Sequence, residues 1–309
     1  MKQLWVERYR PTSIKHYVFR NTQQRDQVQQ WIDSGTVPHL LFSGPAGTGK
    51  TTLAKLLLTE LEVDWGDVLQ INASVTNGVD EIRDRITNFA SSMPFGDFKY
   101  VLLDEADYLS ASAQAALRGV MEQYSNTCRF LLTCNYPNKI IPALHSRCQG
   151  FHIEKLDRTE FTARVAEILI EEQVEFDIDT LDLYVRAGYP DMRKVIGRLQ
   201  QNTHAGQLQA PDEDAGSTED FRVNMLSLFR SGRIQDARKL IAQQATPEEY
   251  DGIYRFFYEN LDLWGSDHDS QSRALLIIRN ALVNDTLVAD REINLSACLV
   301  ELEMLTAAS

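Results

Sequence analysis

The glycine-rich stretch at residues 44–51 constrains the fold of this chain more than any other feature of the sequence. It has the sequence GPAGTGKT and matches the pattern G-x-x-x-x-G-K-[ST]. An apolar segment ending at Ser43 precedes it, and a segment with helical spacing follows it. Glycines here let successive backbone N–H groups surround phosphate oxygens, because no Cβ atom obstructs them. This context favours a nucleotide-binding turn over a chance glycine-rich turn.

Short apolar strands alternate with helix-length segments over residues 39–153. The predicted strands are 39–43, 68–72, 100–104, 130–134 and 151–153, and the predicted helices between them are 51–62, 78–91 and 112–124. Strands that are separated by crossover helices form a mostly parallel sheet with both faces covered. The sequence therefore predicts an α/β domain whose ligands bind at the carboxyl edge of its strands.

The alternation stops after residue 153, and the rest of the chain is predicted to be helical. Three amphipathic segments, 159–172, 179–187 and 192–201, form a small helical domain. Five more follow a polar, acidic linker, at 223–229, 234–243, 247–260, 270–284 and 292–305. The predicted organisation is an α/β domain over 1–155, a small helical domain over 156–205, a linker over 206–220 and a second all-helical domain over 221–309.

Charge and composition exclude some functions. The net charge is −13, but residues 206–309 hold 9 Lys and Arg against 18 Asp and Glu, which leaves a net charge of only −4 for residues 1–205. Any contact with nucleic acid is therefore expected in the first part. No apolar run reaches the roughly 18 residues of a membrane span, and early charged residues argue against secretion. The four scattered cysteines are typical of reduced thiols in a cytosol-like compartment.

Two carboxylates follow the predicted strand 100–104. The sequence YVLLDEAD places Asp104 and Glu105 at the carboxyl edge of the sheet. Asp104 suits Mg²⁺ binding through water, and Glu105 has the reach to orient an attacking water. Lys50 would neutralise phosphate charge, and the Thr51 hydroxyl would complete the Mg²⁺ shell. Without the glycine-rich turn, the two acids would indicate only a strand end and a helix cap.

Three further polar residues stand out by their position. Asn135 ends a predicted strand, Arg147 precedes the last strand, and Arg193 begins a predicted helix of the small helical domain. Asn135 could hold a water or a phosphate oxygen at the edge of the sheet. Spacing alone does not separate these roles from those of a helix cap or a surface residue.

Six ordered motifs resemble those of a known family. They are WVERYRP at 5–11, the glycine-rich turn, DEAD at 104–107, TCN at 133–135, SRC at 146–148 and GYPDMR at 188–193. Together they are similar to the ATPase subunits of sliding-clamp loaders, namely the replication factor C small subunits and the phage clamp-loader large subunit, which are AAA+ ATPases. The motif resemblance covers residues 2–200. The helical tail matches only in length and helical character, and its short acidic form fits a phage-type loader and viral DNA replication.

The resemblance implies a role for each motif, with ATP and Mg²⁺ as the ligands. The segment around the adenine would include Val6, Glu7, Arg8, Tyr9 and Val18. The phosphates would be held by Gly47, Thr48, Gly49, Lys50, Thr51 and Thr52. Thr51 and Asp104 would hold Mg²⁺, and catalysis would involve Lys50, Asp104, Glu105, Asn135, Arg147 and Arg193. In this scheme Asn135 and Arg193 sense phosphate, and Arg147 is an arginine finger for a neighbouring subunit's ATP.

A DNA contact is predicted at the helix that begins near Gly78. Its first-turn acids Asp80 and Glu81 disfavour a phosphate, so taken alone the segment is an ordinary helix start. The resemblance implies instead that this helix follows the DNA backbone without reading sequence. The implied contacts are Gly78, Val79, Ile82 and Arg83.

The expected function is ATP-driven loading of a sliding clamp onto primer–template DNA during DNA replication. The resemblance implies an α/β AAA+ domain, a helical lid and a helical collar. Its partners would be the clamp, the DNA, copies of itself and a distinct subunit in a pentamer, with no membrane. The expected location is the cytoplasm, of a host cell if the source is viral, or the nucleus if it is eukaryotic. The alternatives are an AAA+ helicase loader or origin remodeler, and a scaffold subunit that does not hydrolyse ATP.

Overall fold

The chain forms two compact units. The computed structural model describes residues 3–76, 78–210 and 221–307, so Asn77 and residues 211–220 of the predicted linker lie outside the described residues. The first unit continues to Glu175 and resumes over Gly188–Gln207, and the second contains Phe176–Ala187 and continues from Leu208. The middle helix of the predicted small helical domain therefore groups with the second unit. The predicted domain boundaries stay a prediction.

The first unit is built on a five-stranded parallel sheet. Its strands are β1 (Leu40–Ser43), β2 (Val68–Asn72), β3 (Lys99–Asp104), β4 (Cys128–Cys134) and β5 (Gln149–His152). They are ordered β2-β3-β4-β1-β5, and all neighbours run parallel. This confirms the predicted α/β class. Ser43 pairs with Cys134, and Leu103 pairs with Leu132, so β1, β3 and β4 end together at one edge.

Helices precede, connect and follow the strands. In chain order they are α1 (Trp5–Arg8), α2 (Thr22–Asp33), α3 (Lys50–Glu60), α4 (Val79–Ala90), α5 (Ala111–Gln123), α6 (Pro142–His145), α7 (Arg158–Glu171), α8 (Ile178–Gly188) and α9 (Met192–Gln201). A short pair of strands follows, β6 (Thr203–His204) and β7 (Gln207–Leu208). The remaining helices are α10 (Phe221–Arg230), α11 (Ile234–Gln244), α12 (Tyr250–Glu259), α13 (His268–Asp285) and α14 (Arg291–Ala307). None of these helices combines the length and the apolar character needed to cross a bilayer.

Alternating side chains of the strands build the core on both faces of the sheet. Leu41, Val101 and Leu132 pack in one cluster with Ile86 of α4 and Leu117 of α5. Their neighbours along the strands point to the opposite face, where they are equally buried. This is why the strands have near-continuous apolar sequences.

Helix α2 is an element that the sequence did not predict. Its sequence, TQQRDQVQQWID, buries only Val28 and Trp31, so its apolar pattern is too sparse to identify. Asn21 caps it, because its side chain accepts a hydrogen bond from the Gln24 N–H at 2.9 Å.

The second unit has an aromatic core and includes α8. Trp264 is fully buried, and its ring packs edge-on against Phe229 and Phe257. On α8, Arg186 donates to Asp182 at 2.8 Å and to Asp262 at 2.5 Å. The Asp182 pair lies within α8, and the Asp262 pair connects α8 to the C-terminal part of the second unit.

Candidate active site

The glycine-rich turn forms a closed loop between β1 and α3. Gly47 and Gly49 have φ angles of +72° and +86°, which glycine adopts without strain. A Cβ atom at Gly47 would overlap the Asp191 carboxylate, which would have to move to admit it. Lys50 is buried, and its Nζ donates to the carbonyls of Gly44 at 2.8 Å and Pro45 at 2.6 Å. The loop is therefore already shaped around its ammonium group.

Burial also sets the protonation of the groups at this turn. It lowers the pKa of Lys50, while nearby anionic groups, among them Asp104, oppose the shift. Burial raises the pKa of the Cys134 thiol to about 12, so this cysteine is not a nucleophile at neutral pH. The positive charge at the turn therefore comes from a partly desolvated lysine, which strengthens its attraction to an anion.

Asp104 and Glu105 lie at the end of β3, as predicted. Asp104 Oδ1 accepts hydrogen bonds from the hydroxyls of Thr51, at 2.6 Å, and of Thr133. Glu105 has a φ of +56°, in the left-handed region, and its N–H donates to Thr133 Oγ1 at 3.0 Å. Thr133 thus fixes both acids from the neighbouring strand. Non-glycine residues in this conformation concentrate at functional sites.

A buried carboxylate holds the turn that carries Asn135. Asp107 Oδ2 accepts from the N–H groups of Asn135 at 3.2 Å and Tyr136 at 3.1 Å. Its Oδ1 is buried and has no hydrogen-bond partner among the described residues. The sequence placed Asp107 in a motif but did not assign this role, because the contact depends on how two loops meet.

A cleft joins these groups to an apolar pocket. It is lined by Val6, Tyr9 and Val18, by residues 46–52, and by Asp104, Glu105, Thr133, Asn135, Ile168, Arg193 and Ile196. The structure therefore brings together most residues of the predicted site. Arg164 also lines the cleft, with its side chain only 13% exposed, and the sequence did not single it out.

Glu7 and Arg8 do not line the cleft. Arg10 donates to Glu7 at 3.4 Å, and Arg8 pairs with Glu172 at 2.7 Å. Glu172 also accepts from the Tyr9 hydroxyl at 2.9 Å. Arg8 and Tyr9 therefore tie α1 and the residue that follows it to the end of α7, which fixes the segment that contributes Val6 and Tyr9 to the pocket.

Helix α9 begins at the glycine-rich turn. The Met192 N–H donates to the Gly47 carbonyl at 3.2 Å, and the Asp191 side chain caps the helix by accepting from the Lys194 N–H at 2.9 Å. Arg193 therefore projects from a helix that is hydrogen-bonded to the glycine-rich turn, which we call the phosphate loop.

The oxygen groups at the strand edge fit Mg²⁺. A threonine hydroxyl and a carboxylate, Thr51 and Asp104, lie together there, and hard oxygen ligands are those that Mg²⁺ prefers. Among the described residues, no cluster of three or more His, Cys, Asp or Glu side chains could hold a metal. A magnesium ion at this edge would therefore take its other ligands from water and phosphate.

Arg147 lies away from the cleft. One of its terminal nitrogens donates to the Ala143 carbonyl at 2.8 Å, and the other contacts Glu122. Its side chain is 32% exposed. The structure therefore does not bring Arg147 to the chain's own phosphate site.

The predicted DNA contacts on α4 are not equally accessible. The Ile82 side chain is 1% exposed and packs in the core, and its N–H donates to Gly78 at 3.0 Å, so Ile82 offers no group to a phosphate. Gly78 is exposed and caps the helix without a side chain. Arg83 is half-exposed and pairs with Asp80 at 3.0 Å and Asp84 at 3.2 Å. Among the four predicted residues, Arg83 is the charged one at the surface, and Val79 is partly buried.

Comparison with known proteins agrees with this geometry. Residues 40–155 match the model of the ATPase family associated with various cellular activities (AAA). The chain is 33% identical to the replication factor C small subunit of Methanocella arvoryzae over 99% of this chain and 98% of the relative. It is 43% identical to that of Halobacterium salinarum over 66% and 64%, respectively. The full-length alignment includes the C-terminal helices, which extends the similarity beyond the motifs at 2–200.

Solved structures share the fold. Thermotoga maritima RuvB, a Holliday junction branch migration motor, superposes with a TM-score of 0.55 over 80% of each chain, at 16% identity. At this identity the likeness supports the architecture of a P-loop sheet with additional helices.

Proposed function

Because the chain belongs to the family of replication factor C small subunits and is an AAA ATPase, we propose that it is an ATP-hydrolysing subunit of a sliding-clamp loader. In this role it opens a ring-shaped processivity clamp and places it on primer–template DNA. The observation that carries the proposal is the single cleft in which the phosphate loop, the two acids of β3, Asn135 and Arg193 converge.

The residues of the cleft divide the work of hydrolysis. Lys50 exchanges its bonds to the loop carbonyls for phosphate oxygens of ATP. Thr51 and Asp104 hold Mg²⁺, which supplies charge neutralisation for the phosphates. Glu105 orients and polarises the attacking water, and Asn135 supplies an amide at the same edge. Val6, Tyr9 and Val18 enclose the base in the apolar part of the cleft.

ATP hydrolysis would be coupled to the position of helix α9. Its bond to Gly47 and the position of Arg193 in the cleft make this helix sensitive to the phosphates. When the terminal phosphate leaves, Arg193 loses a ligand, and α9 keeps its hydrogen bond to Gly47 but loses a contact that favours its position. This is the kind of two-state element that a loader needs in order to grip and then release a clamp.

Two loops beside the sheet offer a surface for the clamp. Trp65 precedes β2, and Met93 and Phe95 lie between α4 and β3; these side chains are 55%, 89% and 81% exposed. The Phe95 ring packs on Gly66, which brings the two loops together. Exposed large apolar side chains mark interaction sites. We assign the clamp contact to these two loops.

Helix α4 supplies the DNA contact in the proposal. Arg83 would exchange its exposed ion pairs for a backbone phosphate, which costs little because such pairs are weak. One arginine gives little affinity, so several copies of the chain, with a distinct partner subunit in a pentamer, must act together. In that assembly Arg147 reaches the ATP of a neighbouring copy.

The test is the ATP turnover of the purified assembly, measured with and without clamp and with primed DNA of two unrelated sequences. Clamp and DNA should each raise turnover, and the two DNA sequences should act equally. Phe95→Ser should remove the clamp response and keep the DNA response. Arg83→Ala should weaken the DNA response and make its salt dependence shallower, by about one phosphate contact per subunit.

Each variant in this test is the control for the other. A turnover that responds to neither ligand would contradict the loader function. Loss of both responses in either variant would indicate damage to the fold rather than to a binding surface.

A further inference from the structure

The guanidinium of Arg147 is held by contacts with α6 and with α5 of its own chain. Its two terminal nitrogens contact the Ala143 carbonyl of α6 at 2.8 Å, the Ser146 hydroxyl at 3.3 Å and the Glu122 carboxylate of α5. A guanidinium has five N–H donors in a planar fork, so these three contacts leave donors for a phosphate. These contacts orient the Arg147 side chain and leave some of its N–H donors for another group.

Glu122 is well placed to give that orientation. It lies near the end of α5, whose Leu117, Val120 and Met121 are buried in the core of the sheet domain. The start of α5 is fixed as well, since the Ser110 side chain accepts from the Ala113 N–H at 3.2 Å. The Glu122 carboxylate therefore projects from a rigid helix. A contact from a rigid element limits the rotamers of a long arginine side chain, which otherwise loses considerable entropy when it is immobilised.

We infer that Glu122 is a positioning residue for Arg147 in the reaction at a neighbouring subunit. The inference rests on the proposed function, in which Arg147 acts on the ATP of another copy. Glu122 does not touch that ATP. It acts by restricting the arginine to the orientation in which its remaining donors point outward, before the neighbour arrives.

The opposite role, a latch that withholds Arg147, fits the geometry less well. The pair is 32% and 48% exposed, and half-exposed ion pairs contribute little free energy. Such a contact cannot retain an arginine against the several charges of ATP. It is sufficient to bias the side-chain rotamers, because that requires only a small preference.

The test compares Glu122→Ala with a matched variant, Glu160→Ala. Glu160 pairs with Arg25 at 2.7 Å, and both side chains are similarly exposed, but neither residue has a role in the proposed function. Alanine suits both helices. In the assembly, Glu122→Ala should lower kcat about threefold to tenfold, which corresponds to losing one ordered side chain, with the KM for ATP unchanged. Glu160→Ala should leave both constants unchanged.

Two further measurements separate positioning from a structural role. In the Arg147→Ala background, Glu122→Ala should cause no additional loss. Glu122→Ala subunits mixed with Lys50→Ala subunits should recover turnover, because the Lys50→Ala copies present an intact Arg147 to intact phosphate loops. A merely structural defect would persist in both experiments.

The remaining outcomes overturn the inference. An unchanged kcat in Glu122→Ala, together with a large loss in Arg147→Ala, removes the role of Glu122 and leaves the proposed function intact. A raised kcat would identify a latch. If Arg147→Ala itself has normal turnover, the action in a neighbouring subunit is wrong, and the inference falls with it.

Discussion

Two ion pairs in the first unit differ in burial. We expect the buried pair to stabilise the fold and the exposed pair to serve ATP turnover. Lys99 lies 3.4 Å from Asp67, with side chains 5% and 1% exposed, whereas Arg147 and Glu122 are 32% and 48% exposed. Asp67 has further partners, since its Oδ2 accepts from the N–H groups of Phe95 at 2.7 Å and Gly96 at 2.9 Å. Its Oδ1 faces the Lys99 ammonium and has no hydrogen-bond partner among the described residues. The buried pair is enclosed by its own chain, and the exposed one is suited to a partner.

The same contrast explains what each pair supports. Lys99 and Asp67 fix the loop that carries Met93 and Phe95, so their contribution is the shape of a surface. The Lys99 ammonium also lies 4.3 Å from the centre of the Phe89 ring. Removing a charge from such a site leaves the other one unpaired in the core, whereas removing an exposed charge costs the fold little.

The largest expected effect is on the exposed pair. Arg147→Ala should lower the turnover of the assembly by about 10³-fold or more, the range measured for arginine fingers in GTPases. The free energy of unfolding of the same variant should change by only about 0–1 kcal/mol. Steady-state ATPase assays and denaturant unfolding check the two values.

Mixing subunits locates the defect. Arg147→Ala subunits combined with Lys50→Ala subunits should recover turnover, because an intact finger then meets an intact phosphate loop. Glu105→Gln subunits combined with Lys50→Ala subunits should not recover, since neither copy has a working cleft. If Arg147→Ala gives no recovery at any ratio, the arginine acts in its own chain, and the contrast between the two pairs fails.

The second prediction concerns the buried pair. Lys99→Met should lower the free energy of unfolding by about 3–5 kcal/mol, because it leaves the Asp67 carboxylate buried without its cation. The double variant Asp67→Asn/Lys99→Met should recover much of this loss, since asparagine still accepts the two N–H groups. Urea unfolding measures both. A loss of less than about 1 kcal/mol in Lys99→Met would place this pair in the same class as the exposed one.

The sequence predicted the sheet and most of the cleft because each motif is contiguous and ends a strand. The phosphate loop, Asp104 and Asn135 needed only the rule that parallel strands end at one edge. Thr133, which bonds to both acids, and Glu122, which bonds to Arg147, could not be assigned in this way. Their contacts join residues about 25 to 29 positions apart and depend on the register of β3 with β4 and on the packing of α5 against α6.

Other differences have a similar physical origin. Ile82 was predicted to contact DNA, but the apolar face of α4 packs on the sheet and takes its side chain into the core. The sequence groups α8 with α7 and α9, whereas the Arg186–Asp262 and Arg230–Asp182 pairs connect it to later residues of the second unit. Helical periodicity identifies the apolar face of a helix and does not identify what covers it.

The smallest expected effect tests a group of intermediate burial. His39 precedes β1, and its Nδ1 accepts from the Phe130 N–H at 3.2 Å, while its ring packs edge-on against the Phe130 ring. Burial, with a contribution from nearby Arg129, lowers the pKa of His39 to about 4 from its ordinary value of 6.5. Because the folded-state pKa is the lower one, the unfolded chain takes up this proton first as the pH falls.

The stability contributed by His39 is therefore fully present above about pH 6.5, declines as the pH falls towards 4, and is lost below it. Since the ring is partly exposed, screening reduces the effect to about 1 kcal/mol.

The contribution of His39 is measured as the difference in unfolding free energy between the protein and His39→Gln, at pH 7 and at pH 5. Glutamine can still accept the Phe130 N–H and does not titrate, so its profile should be flatter over this interval. Parallel profiles would show that His39 is protonated as easily in the fold as in the unfolded chain. The half-buried His39 would then contribute as little to the free energy of unfolding as the exposed Arg147–Glu122 pair, unlike the buried Lys99–Asp67 pair.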